Sequence, residues 1–172
     1  SQMFLSRSTI LPLLVMGIVG ITKAAVPDEI LGQRTIKSYF GTFLHAVEYP
    51  PGGLGGPPNF YAGHADLADG PPTDRWVRWT IEKKDGKAVM RMNGVYNTNL
   101  FVSASHLNTI KLQPEAAAWE MWWAVKNTNG SWSFQGDHGH WLTARADKSV
   151  WQEPTSETAP GLYEQFELKE CS

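Results

Sequence analysis

The chain has one cysteine, Cys171, so no disulfide can close within its 172 residues. Packing and hydrogen bonding must hold the fold together. No charge dominates: 15 basic and 17 acidic residues give a formal net charge of −2. No block of like charge occurs, and without a basic stripe nucleic acid is not an expected partner. Helical periodicity is scarce, and recognisable catalytic elements are missing. There is no Gly-x-Ser-x-Gly, and Gly52-Gly53-Leu54-Gly55-Gly56 lacks the Lys-Ser/Thr and following helix of a phosphate loop. His138 and His140 stand close to Asp137, but further metal ligands would have to come from as far away as His64 or Asp66. Glu153 and Glu157 lie in a loop-like stretch and read as solvated. The expectation is a protein that is not an enzyme, with no cofactor and no metal.

What the chain does have is apolar mass. Apolar residues make up 42% against 19% charged, with eight tryptophans, which suits one domain with a well-buried core. The first 25 residues have a different texture. Arg7 is followed by an uncharged run from Ser8 to Thr22 rich in Leu, Ile and Val, then by the small residues of Thr22-Lys23-Ala24-Ala25. Residues 1–25 read as a signal peptide or retained hydrophobic segment, and 26–172 as the folded domain. The apolar run is shorter than the roughly 20 residues that a membrane span needs. Secretion, with no stable membrane span once the signal is cleaved, is the expected localisation.

Beyond Val26, short alternating stretches are broken by Gly, Pro, Asn and Asp, the pattern of an all-β sandwich or barrel. Lys84-Asp85-Gly86-Lys87 and Thr128-Asn129-Gly130-Ser131 read as hairpin turns, since Asp-Gly and Asn-Gly tolerate the positive φ of a type I′ turn. Their glycines lie 44 residues apart. Trp79-Thr80-Ile81 and Trp123-Ala124-Val125 repeat at the same interval, and Phe166-Glu167-Leu168 follows 43 further on. A second pattern of aromatic, aliphatic, polar residue and alanine recurs at Phe43–Ala46, Phe101–Ala104 and Trp141–Ala144. The chain therefore divides into three units, at about 33–86, 87–130 and 131–170. Twelve strands in three units of four can close as a six-stranded barrel capped by three hairpins, which removes exposed edges. The Pro/Gly run of residues 49–58 reads as a flexible insertion in the first unit.

With the units aligned, Ile36–Ala46 and Phe134–Ala144 resemble the repeat opening of the fascin and hisactophilin branch of β-trefoils, and Glu164–Leu168 its repeat closing. The resemblance covers about 33–170 and implies a single β-trefoil of three pseudo-repeats. It does not choose a ligand, because trefoils of this pattern bind actin, glycans, proteases and other partners. The Gln-x-Trp repeat of ricin-type lectins is missing, so no ricin-type sugar site carries over.

Trp79, Trp123, Phe166, Phe43, Phe101 and Trp141 sit at repeated positions and are expected in the core. Tyr61, Tyr96 and Trp151 lie off those positions among polar residues. A sugar site pairs an aromatic platform with hydrogen-bonding groups. Trp151 with Gln152, Asp137 and His138, and Tyr96 with Asn97 and Asn99, are the candidates, with Tyr61 a further ring. Asn129-Gly130-Ser131 is a glycosylation sequon at a hairpin tip. The leading expectation is a secreted, lectin-like carbohydrate-binding protein. A protein-binding inhibitor or effector using the long 47–75 connection is the alternative, and an actin binder a third if the N-terminus is not a signal.

Overall fold

The computed structural model of the chain describes residues 23–51, 61–96, 98–105, 109–153 and 160–172. The hydrophobic run of residues 1–22, most of the Pro/Gly insertion and Asn97 lie outside the described residues. Among the described residues the structure is all-β, with twelve strands and four short 3-10 turns. β1 (Gly32–Ser38), β2 (Phe43–Glu48), β3 (Gly63–Ala68) and β4 (Arg78–Lys84) come first. β5 (Lys87–Asn93), β6 (Asn99–Ser103), β7 (Lys111–Gln113) and β8 (Trp123–Lys126) follow. β9 (Trp132–Gln135), β10 (Trp141–Ala144), β11 (Val150–Glu153) and β12 (Phe166–Glu170) complete the chain. A 3-10 turn precedes every fourth strand, at Arg75–Val77, Ala118–Glu120 and Leu162–Glu164. Among the described residues no helix is long and apolar enough to cross a membrane.

The pairings close on themselves. β1 pairs with β12 and β4, β4 with β5, β8 with β9, and β9 with β12. The remaining gap, between β5 and β8, is bridged by Ala88 and Trp122, whose backbones exchange two hydrogen bonds of 2.8 Å. The other strands form the hairpins β2–β3 and β10–β11 and the pair β6–β7, one in each third of the chain.

The two glycine turns differ. Asp85 and Gly86 both take positive φ, 51° and 77°, so Lys84 and Lys87 pair across a two-residue I′ turn as the sequence implies. At Asn129-Gly130 only the glycine is left-handed (φ 84°), and the loop is wider, with Asn127 N–H bonded to Ser131 O. The expected I′ turn is not formed there, because Lys126 rather than Thr128 pairs across the hairpin, with Trp132.

Phe43, Phe101, Trp141, Trp79 and Phe166 are buried as expected, but the second unit departs from the reading by one position. Trp122, not Trp123, is fully buried. The indole N–H of Trp79 donates to Leu44 O at 2.9 Å, and that of Trp122 donates to Val102 O at 3.0 Å. Leu44 and Val102 occupy the same place in their repeats, so Trp122 is the counterpart of Trp79 and Trp123 faces outward beneath Lys87. Two adjacent tryptophans satisfy the spacing equally well, and only burial separates them. The repeated alanines Ala46, Ala104 and Ala144 are all buried.

One polar pair recurs in two units. Glu120 and Glu164 occupy the last positions of their 3-10 turns and are buried. Glu120 accepts from Ser103 Oγ at 2.5 Å and from Ala117 N at 2.8 Å, and Glu164 from Thr143 Oγ1 at 3.2 Å. In the first unit the corresponding residues are Val77 and His45, and the pair is replaced. His45 Nδ1 instead donates to Asp66 Oδ1 across the β2–β3 hairpin at 2.7 Å.

Candidate functional site

The exposed surface is organised by the same three turns. In each, the middle residue is aromatic and lies three residues before the core ring: Trp76 before Trp79, Trp119 before Trp122, Tyr163 before Phe166. Each stands near the connection that opens the next hairpin, with the third unit facing the first. These connections also match, closed by Ser38 N–H to Thr42 O (2.7 Å), Gly94 N–H to Thr98 O (2.8 Å) and Gly136 N–H to His140 O (2.9 Å). Gly41 and Gly139 turn the first and third in the left-handed region, φ 80° and 78°.

The niche of the third turn is the most aromatic. The Tyr163 ring lies 5.0 Å from Phe40 and 5.9 Å from Tyr39, and Tyr39 meets Phe40 edge-on at 5.6 Å. Tyr39 is 58% exposed and Tyr163 51%, so this ridge presents ring surface to water. A cleft lies on either side of it. One, of about 600 Å³, is lined by Tyr39, Leu162, Asn129, Ser131 and Gln165. The other, of about 450 Å³, is lined by Phe40, Tyr163, Thr143, Arg145, Asp147 and Glu153. Asn129 Nδ2 donates to Gln165 Oε1 at 2.8 Å, which holds these two amides at the first cleft. In the second, Arg145 Nε donates to Glu153 Oε1 at 2.9 Å. Asp147 accepts from the backbone and hydroxyl of Ser149, and these bonds hold its carboxyl below the ordinary value.

The other two niches carry fewer ring contacts among the described residues. Trp119 lies 6.2 Å from His138, and Asp137 pairs with Lys87 at 3.7 Å. The Arg75 guanidinium lies over Trp76 at 4.8 Å and donates to Asn93 O at 2.8 Å, beside the turn carrying exposed Val95 and Tyr96. Glu48 ties that turn down by accepting from Val95 N and Tyr96 N.

The residues expected from sequence are dispersed among these places. Trp151 is half-buried, and the Arg145 guanidinium covers its ring at 3.6 Å, so it is not the open platform it was read to be. Gln152 is 1% exposed and donates to Ala104 O at 2.8 Å, so it is a core residue and not a ligand contact. Strand alternation is the reason: Val150 and Gln152 point inward, and Trp151 and Glu153 outward, where Glu153 captures Arg145. Asp137 and His138 stand against Lys87 and Trp119, not beside Trp151. Asn99 is exposed and accepts from Arg91 at 3.5 Å. Tyr61 is half-buried with Lys111 over its ring at 5.7 Å. The exposed rings Tyr39, Trp119 and Tyr163, and the half-buried Phe40 beside them, were missed. Trp119 and Tyr163 had a signal, the aromatic-x-x-aromatic spacing that repeats from Trp76 at intervals of 43 and 44 residues; Tyr39 and Phe40 lie outside that series.

On β2 and β3, His45 and Asp66 neighbour a second imidazole, His64, whose Nδ1 shares a 2.8 Å hydrogen bond with the Tyr49 hydroxyl. The bond to Asp66 holds His45 above its ordinary value, while burial pushes His64 below. Among the described residues no group of three His, Cys, Asp or Glu could hold a metal ion.

No protein-family model matches this chain, and no curated protein sequence matches it. Solved structures do, among them the following two. One is SeviL bound to an asialo-GM1 saccharide, at a TM-score of 0.59 and 12% identity, covering 83% of this chain and 99% of SeviL. The other is the GlcNAcα1-4Gal-releasing endo-β-galactosidase from Clostridium perfringens, at a TM-score of 0.59 and 15% identity, covering 80% of this chain. This chain spans only 32% of the galactosidase. At such identities both likenesses are of fold alone.

Proposed function

We propose that this chain is a secreted, non-enzymatic β-trefoil lectin that binds a glycan on the Tyr39–Phe40–Tyr163 ridge. The observation that carries the reading is the ridge itself: exposed tyrosine rings standing between two clefts lined with amides, hydroxyls and charged groups. A sugar has an apolar face that stacks on a ring and a rim of hydroxyls that needs donors and acceptors, and this surface offers both. Asn129, Ser131 and Gln165 flank one side of the ridge, Arg145, Asp147 and Glu153 the other. The fold likeness to a saccharide-bound protein supports the same reading. Pairing of β12 with β1 sets the ridge where the first and last thirds of the chain meet.

The test is a glycan array on protein expressed from Val26 onward, repeated with Tyr39→Ala and Tyr163→Ala. Both rings are more than half exposed, so melting temperature should barely move while binding is lost. Binding that survives both changes would reject the ridge. A wild-type protein that binds no glycan would reject the lectin reading in favour of a protein ligand.

A further inference from the structure

We propose that the cleft between β1, β4 and β5 binds the sulfate group of a sulfated glycan, a proposal that rests on the lectin reading above. The chain is acidic overall, with a formal net charge of −2. Yet one cleft of about 250 Å³ is lined by Arg75, Arg78 and Arg91, with Gln33, Thr80 and Asn93 and no carboxylate. Strand register assembles it: Thr80 lies opposite both Gln33 and Arg91, and Arg78 opposite Thr35. Arg75 arrives from the 3-10 turn, whose first N–H groups are ordered by Asp74, the acceptor from Trp76 N at 3.0 Å.

Like charges gathered in one cleft repel unless something offsets them. Among the described side chains Glu82 alone offers a carboxylate within ion-pair distance of any of the three, and it pairs with Arg91 at 2.9 Å. Arg78 donates through Nη2 to the main-chain oxygen of Ser172 at 2.9 Å and to Gln33 Oε1 at 3.5 Å, and its Nε is buried without a partner. Arg75 donates only to the Asn93 carbonyl and stacks on Trp76. Each guanidinium carries five N–H donors, so most of those on Arg75 and Arg78 are unspent. A planar fork with spare donors matches the oxygens of a sulfate or phosphate better than any neutral sugar hydroxyl. Arg75 also joins the cleft to the ring of Trp76, which would seat the sugar that carries the anion.

The experiment is calorimetric titration of the protein with a sulfated oligosaccharide, its desulfated counterpart and inorganic sulfate, for wild type, Arg75→Gln, Arg78→Gln and Tyr163→Ala. Melting curves confirm that each variant is folded. Arg75→Gln is the decisive variant, because Arg75 holds only one backbone carbonyl and its loss should leave the fold intact. The expected result is that the sulfated ligand binds at least about tenfold more tightly than the desulfated one, a preference abolished in both arginine variants. Retention of the preference in Tyr163→Ala supports the cleft, even if neutral glycans never bind and the ridge is rejected. Equal affinity for the two oligosaccharides overturns the proposal while leaving the ridge untouched. Binding of free sulfate with no preference for the sulfated sugar overturns it as well.

Discussion

The indole N–H of Trp122 donates to the carbonyl of Val102 in the same way as Trp79 donates to Leu44. Trp122 is therefore the core ring of the second repeat. Trp122→Ala should destabilise the protein by about 3–5 kcal/mol, as other buried aromatic truncations do. Trp123→Ala, which removes a ring lying under Lys87, should cost about 1 kcal/mol or less. Denaturant titration of the two variants distinguishes them, and equal losses would contradict the assignment.

Glu120 is buried and holds two donors, Ser103 Oγ and Ala117 N. Glu120→Ala leaves both without an acceptor, at a cost of about 1–3 kcal/mol. Changing Ser103 to Ala at the same time should recover part of that loss. A double variant no more stable than Glu120→Ala would show that the pair is not what stabilises the turn.

Stability should depend on pH through His45. Its folded-state pKa is raised, chiefly by the bond to Asp66, so its contribution is complete below the unfolded value of 6.5 and is lost as pH rises through the folded value. His64 is lowered by burial and acts in the opposite sense: its protonation opposes folding as pH falls below 6.5. The advantage of wild type over His45→Gln should therefore shrink as pH rises above 6.5. A difference that stays constant over that rise would mean that the His45–Asp66 bond does not persist in solution.

Gln152 and Trp151 are neighbours with opposite roles. Gln152→Ala removes the donor from the buried Ala104 carbonyl and should cost about 1–3 kcal/mol. Trp151→Ala uncovers Arg145, which keeps its bond to Glu153, and should cost only about 0.5–2 kcal/mol. Thermal melts read both effects. A Gln152→Ala variant as stable as wild type would place that side chain outside the core.

The Asn129 sequon lines the larger cleft, and Asn129 Nδ2 is engaged by Gln165. Protein made in a glycosylating host and carrying a glycan there should bind ridge ligands more weakly than the Ser131→Ala variant, which lacks the acceptor motif. Array binding compared between the two preparations checks this, and equal binding would remove that cleft from the site.

All-β character, twelve strands and their spacing were legible in the sequence, because strand alternation and turn glycines are local signals. The type I′ turn at Asp85-Gly86 was legible for the same reason. The register of Trp122 against Trp123 was not, since adjacent rings have equal hydrophobicity and only the carbonyl of a distant strand selects one. The site was least legible. Trp151 and Gln152 looked available because nothing local shows that Arg145 covers one and that Ala104 holds the other. The Tyr39–Phe40–Tyr163 ridge joins residues more than 120 positions apart in a chain of 172. Antiparallel pairing of β12 with β1 brings them together, a contact between the two ends of the folded strands that no local signal announces.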